Sequence, residues 1–303
     1  MIYTLTLNPA LDYVMDTGII RTGKVNRSAS ESFFVGGKGI NVSLVLAEFG
    51  LESTALGFVG GFTGDMLEST LGSFGVKTDL CHLHNGITRV NVKLRGEEVT
   101  EINGAGPAIG DADMEALYSK LLHLTEGDTL VLSGSIPPSL PSDTYEQILS
   151  RLSHKGIRFV VDACGDLLTG TLKYKPFLIK PNIDELSEIA GRPLTCPRDV
   201  EDAAAQLQKE GARNVLVTMG KDGAMLLDEL GGIHRFSAFK GTQINSVGAG
   251  DSTVAGFLAG AEQGYVTALL YGCAAGAATA FSEGLARRDD ILALISTASD
   301  TSL

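Results

Sequence analysis

Short apolar runs alternate along the chain with longer stretches in which apolar residues recur every three or four positions. Residues 2–7, 54–59, 129–133, 158–162, 177–180, 214–218 and 224–228 form the short runs and predict strands. Several are almost continuously apolar, as strands covered on both faces require. Between them, residues 40–49, 65–74, 111–124, 143–154, 183–190 and 200–210 predict helices, with Asp111 and Ser142 as N-caps. This alternation calls for right-handed crossovers, hence an α/β class with a mostly parallel sheet and helices on both faces. The Gly/Ala-rich stretch 254–281 is interrupted by Glu262, Gln263 and Gly264, so it predicts two buried helices and not a membrane span.

Two regions break the rhythm. Residues 11–35 and 88–103 alternate polar and apolar positions with no helix between. The run from Arg89 to Arg95, the turn Gly96-Glu97-Glu98 and the run from Val99 to Asn103 predict a hairpin. A small β element, separate from the main sheet, follows, with polar groups on one face.

The chain has 303 residues, 44% of them hydrophobic, enough for one large α/β domain over 1–303 or a main domain with a small appendage. Its 36 acidic and 24 basic residues give a formal charge of −12. That balance argues against nucleic acid as the main partner, since phosphate backbones need clustered Lys and Arg. It leaves small phosphorylated ligands open and makes any local gathering of cations informative. Cys81, Cys164, Cys196 and Cys273 form no C-x-x-C pair and have no zinc-ligand spacing. With no basic leader and apolar run at Met1–Pro9, the expectation is a cytoplasmic protein with reduced thiols.

The strongest chemical signal is Gly248-Ala249-Gly250-Asp251 at the start of a small-residue helix. Bare N–H groups and the helix dipole there form an anion site. Asp251 is either a cap or a general base beside an anion hole. Gly36-Gly37-Lys38-Gly39-Ile40-Asn41 is a second glycine-rich turn. Lys38 and Asn41 either bind phosphate and hydroxyls or sit on a solvated loop. At strand period Arg89, Asn91 and Lys93 share one face, which suits a sugar phosphate or simply a charged exposed strand. Lys180-Pro181-Asn182-Ile183-Asp184-Glu185 ends a buried strand, where open α/β sheets bind ligands. Asn182 and Glu185 are placed either to hold Mg²⁺ through water or to complement a helix N-terminus. Thr218, Gly220, Lys221 and Gly223 span a turn between two strands, either under a nucleotide phosphate or as a plain hairpin.

No Walker loop, G-x-G-x-x-G or H-E-x-x-H occurs, and the five histidines form no metal cluster. Ser133-Gly134-Ser135 is no nucleophile elbow, because Val131 stands where that motif needs glycine.

Taken together, these segments resemble the ribokinase-like (PfkB) carbohydrate kinases over nearly the whole chain. Leu5-Thr6-Leu7-Asn8-Pro9-Ala10-Leu11-Asp12 is similar to the family's first strand and its sugar-contacting aspartate. Gly36–Val42 resembles the first signature and Gly248–Asp251 the second. Thr88–Lys93, Thr100–Asn103, Ser133–Pro137 and Asn245-Ser246-Val247 resemble the 1-phosphofructokinase branch, with tagatose-6-phosphate kinases as near neighbours. The resemblance implies a three-layer α/β/α sandwich with a mostly parallel sheet and a small β lid from about 11–35 and 88–103. It implies Asp251 as base with Gly248, Ala249 and Gly250 as the anion hole. It implies a sugar phosphate held by Asp12, Arg27, Gly37, Lys38, Asn41, Arg89, Asn91, Lys93, Glu101 and Asn103. ATP, with Mg²⁺ as cofactor, would lie over Lys180, Asn182, Glu185, Thr218, Gly220, Lys221 and Gly223. A homodimer through lid strands is also implied. Many members carry Asp-Thr where Asn245-Ser246 stands, so no monovalent-cation site tied to that carboxylate is expected.

The rivals are a tagatose-6-phosphate kinase, a non-catalytic sugar-phosphate sensor and a dinucleotide oxidoreductase. The sensor does not explain Asp251 at an anion hole, and the oxidoreductase lacks its glycine fingerprint.

Overall fold

In the computed structural model, which describes residues 1–299, alternate residues of each central strand feed opposite cores. In Thr129–Ser133, Leu130 and Leu132 enter one core while Val131 enters the other. Arg158–Asp162 repeats the division with Phe159 and Val161 against Val160, and Asn214–Thr218 with Val215 and Val217 against Leu216. The strand period of two, applied to a continuously apolar run, therefore requires helices on both faces.

One face is covered by Asp111–Leu121, Thr144–Leu152 and Pro197–Glu210, which contribute Leu117, Tyr145, Ile148 and Leu207. Lys38–Glu48, Ala249–Gly260 and Tyr265–Ala280 cover the other, through Val42, Val45, Val254 and Ala275. The small residues of the last two helices let their backbones come close, with Gly256 packed on the carbonyl of Tyr271. They are the two helices expected from 254–281, and a 3₁₀ turn at Ala261–Gln263 separates them.

Among the described residues the main sheet has ten strands. Those on the path from Lys77–Thr78 through Ser53–Gly60, Ile2–Thr6, Thr129–Ser133, Arg158–Asp162 and Leu178–Ile179 to Asn214–Thr218 pair in parallel. Ala224–Leu227 and Ile233–Phe236 extend it antiparallel. The second sheet has four strands: Ser30–Gly36, Ala10–Asp16, Arg89–Arg95 and Val99–Asn103, in that spatial order. It matches the two regions that broke the rhythm, and Asn91 pairs with Asn103 across the expected hairpin. A separate cluster, including Leu11, Ile40, Val59 and Leu67, anchors this sheet to the body. No helix among the described residues is long and apolar enough to cross a membrane.

The caps differ from expectation. Gly110, not Asp111, is the N-cap of Asp111–Leu121, and Asp113 closes the turn by accepting the Gly110 N–H at 2.9 Å. Asp143, not Ser142, precedes Thr144–Leu152, and it makes no side-chain cap bond. The polar residues mark both helix starts, but Asp113 supplies the acceptor at the first and no side chain caps the second. Ile233–Phe236 went unread because its exposed, mixed residues carry little apolar signal. Residues 300–303, included in the expected domain, lie outside the described residues.

Candidate active site

Parallel strands bring their C-terminal residues to one edge, and there the chain gathers Ser133, Asp162 and Lys180. Ser133 and Asp162 are register partners on adjacent strands. Asp162, 1% exposed, takes two cations on one oxygen: Lys180 Nζ at 3.2 Å and Lys38 Nζ at 3.4 Å from Oδ1. Its Oδ2 and the Ser133 hydroxyl are buried without protein partners. Burial pushes the Asp162 carboxyl up, but Lys180 and Lys38 outweigh it and hold the group below its ordinary value.

Opposite lies the N-terminus of Ala249–Gly260. Gly248 adopts φ 82°, a left-handed conformation that favours glycine, and a Cβ there would also push on the tip of Leu285 at 2.5 Å. The first regular helical bond runs from the Ser252 N–H to the Gly248 carbonyl. Ala249 turns its N–H back to Ser246 O at 3.4 Å, while the N–H groups of Gly250 and Asp251 have no helical acceptor. Lys180 Nζ lies against this turn, 3.1 Å from where a Gly250 Cβ would stand. The open amides, the helix dipole and the ammonium make one electropositive cradle.

Asp251 sits in that first turn, 5% exposed. Its Oδ2 accepts the Asn41 amide N–H at 2.8 Å. Burial, reinforced by the negative Asp162, raises its pKa to about 6 against the opposing effects of Asn41, Lys38 and Lys180. At neutral pH it is therefore ionised yet far more basic than a surface aspartate. Lys38 feels both effects too: burial lowers its pKa, and Asp162 and Asp251 raise it to a net upward shift.

The second sheet forms the facing wall of the same cleft. Asp12 accepts Asn91 Nδ2 at 2.8 Å and pairs with Lys93 Nζ at 3.1 Å. Arg89 donates Nε–H to the Asn8 carbonyl at 3.1 Å and a further N–H to the Gly104 carbonyl at 3.4 Å. Glu101 and Asn103 lie on the neighbouring strand, opposite Lys93 and Asn91. All of these line the cleft, as do Gly37, Lys38 and Asn41.

Along the other half of the cleft, Asn182 and Glu185 form a reciprocal capping box at Ile183–Ala190, with both bonds at 2.8 Å. Cys164 donates its thiol hydrogen to the remaining Glu185 oxygen at 3.0 Å. Thr218, Gly220, Lys221 and Gly223 follow, with Gly220–Asp222 as a 3₁₀ turn between antiparallel strands.

The cleft thus unites every residue singled out in the sequence except Arg27, which is exposed on the loop between Asp16 and Ser30 and does not line it. Asp162 receives no site role from the sequence, and Ser133 enters there only as part of a segment that resembles one branch of the family. The available signal was position: each is the last, polar residue of an apolar strand at the ligand-binding edge.

A model of the pfkB family carbohydrate kinases matches residues 5–290. The chain is 43% identical over 297 residues to the 1-phosphofructokinase of Bacillus subtilis, covering 97% of each protein. It is 35% identical over 288 residues to the D-tagatose-1-phosphate kinase of Bacillus licheniformis, covering 94% of each. It superimposes with a TM-score of 0.92 on phosphofructokinase-2 from Escherichia coli in complex with substrates and products, at 32% identity, covering 98% of this chain and 99% of that one. With a strand-edge cleft, a buried carboxylate and an amide cradle already in place, these likenesses lead to one conclusion: the chain belongs to the PfkB family of carbohydrate kinases.

Proposed function

We propose that the protein transfers the γ-phosphoryl group of ATP to the C6 hydroxyl of D-fructose 1-phosphate, giving fructose 1,6-bisphosphate and ADP. The carrying observation is Asp251, buried at a helix N-terminus beside open amides and hydrogen-bonded through only one oxygen to Asn41. Its elevated basicity suits a group that must take a hydroxyl proton near neutral pH. As the C6 oxygen attacks the γ-phosphorus, its proton passes to Asp251, the γ-phosphorus–oxygen bond to ADP breaks, and the amides of Gly250 and Asp251 face the charge on the transferring group. Lys38 and Lys180 add positive charge on the same side.

The lid sheet holds the sugar phosphate in this reading. Arg89 and Lys93 take its phosphate, and Asp12, Asn91, Glu101 and Asn103 meet its hydroxyls. Arg27 stays outside this set, because it does not line the cleft. ATP lies over Lys180–Glu185 and Thr218–Gly223. Mg²⁺ fits this half through water: the unpartnered Asp162 Oδ2 is an acceptor for a metal-bound water, and Asn182 and Glu185, whose oxygens already close the capping box and accept the Cys164 thiol, would meet the ion by their remaining lone pairs. When bound, the ion would neutralise charge on the phosphate oxygens.

The protein acts as one kinase domain in the cytoplasm, as a homodimer through its lid. Phe33 and Ile102 expose apolar surface on that sheet, and Val99–Asn103 is an open edge strand. Phe33→Glu should then shift the mass in light scattering to that of a monomer; an unchanged dimer would remove this assignment.

The likeness to D-tagatose-1-phosphate kinase favours one second reading, a 1-phosphorylated ketose of different stereochemistry. ADP release measured with fructose 1-phosphate, tagatose 1-phosphate, tagatose 6-phosphate and fructose 6-phosphate separates them. The highest kcat/KM is expected for fructose 1-phosphate; a higher value for any other would replace it.

A further inference from the structure

Asn41 stands in the interior of Lys38–Glu48, where asparagine is a poor helix former, and it is 9% exposed. Its amide nitrogen can only donate, and it donates to Asp251 Oδ2 at 2.8 Å. The same nitrogen lies 3.5 Å from where a Gly248 Cβ would stand, so the amide is wedged between the carboxylate and the first residue of the cradle. The family resemblance led to Asn41 as a contact to sugar hydroxyls; one of its two amide N–H donors is committed to Asp251 instead.

We propose that Asn41 is a positioning residue for phosphoryl transfer: by holding Asp251 Oδ2, it turns the other carboxylate oxygen toward the acceptor hydroxyl. This rests on the reading of Asp251 as the base. The bond has two consequences. It selects one carboxylate rotamer at a buried site, and it stabilises the ionised form against burial and against Asp162. Lys38 and Lys180 are the other charged groups acting on Asp251, and both also favour ionisation.

The test compares Asn41→Leu and Asn41→Asp with the parent, each also combined with Asp251→Asn, by kcat and KM across pH. Asn41→Leu keeps the shape without the donor. It should lower kcat roughly tenfold, change the sugar-phosphate KM less than about twofold, and move the acid limb of kcat upward by about one pH unit. Asn41→Asp should move that limb further upward, because a second carboxylate would face the first. In the Asp251→Asn background, Asn41→Leu should cost little more, since its partner is gone. A raised KM with an unshifted acid limb, or a full additional loss in that background, would overturn the proposal and return Asn41 to sugar binding. Should Asn41→Leu fail to fold, the limb of the near-isosteric Asn41→Asp decides alone. Full activity in Asp251→Asn itself would instead sink the base reading.

Discussion

Lys93 and Asp12 pair at 3.1 Å in the lid sheet with side chains 14% and 16% exposed, whereas Lys180 and Asp162 pair at 3.2 Å at the main-sheet edge with 5% and 1% exposed. The contacts are alike and the surroundings are not. A partly wet ion pair contributes modestly and can exchange partners when a phosphate arrives. A buried pair is held by its own desolvation cost, because neither ion can be left alone in the interior. The lid therefore suits recognition and release, and the edge suits a fixed field. That field is felt by Asp251, whose carboxyl is raised by burial and by the negative Asp162.

The comparison can be broken most directly at the edge. Asp251→Asn should reduce kcat by about 10²–10⁴-fold while leaving sugar-phosphate binding by calorimetry nearly unchanged. Asp162→Asn should act on stability as well as chemistry. It strands Lys180 in the interior and should lower unfolding free energy in urea by about 3 kcal/mol. It also removes the like charge facing Asp251, so the acid limb of kcat should move downward. An upward shift would mean that Asp162 reaches the base mainly by holding the two lysines.

Lid substitutions should be gentler. Arg89→Ala should raise the KM for the sugar phosphate by roughly tenfold or more, with less effect on kcat, because a phosphate loses a charge-assisted partner. An effect confined to ATP would misplace the phosphate. Lys221→Ala should have the smallest effect: its exposed side chain on the Gly220–Asp222 turn should change the ATP KM by less than about threefold.

Much of this division was legible before the structure. The alternation of apolar runs with helical patterns showed the main sheet, and the polar alternation at 88–103 showed the hairpin of the small second sheet. Glycines around Lys38 and before Asp251 marked both cleft-facing turns, because glycine there answers a local backbone demand. Long-range pairing left no such mark. Asp162 is one acidic residue at the end of a strand, and its lysines come from positions 38 and 180. Nothing local in the sequence showed that the packing of two distant helices also puts one amide N–H of Asn41 on Asp251. Arg27 entered with the family resemblance, and its loop between Asp16 and Ser30 keeps it off the lining of this chain's cleft.

The central claim is that a buried aspartate of raised basicity takes the acceptor proton. Its most direct test is kcat/KM for the sugar phosphate against pH, for the parent enzyme and for Asp251→Asn, because that ratio follows ionisations of the free enzyme. The parent should lose activity along a single-proton acid limb with its midpoint near pH 6, the value to which burial raises Asp251. The residual activity of the variant should lack that limb. The same limb in both proteins, or a parent profile flat well below that midpoint, would contradict the account.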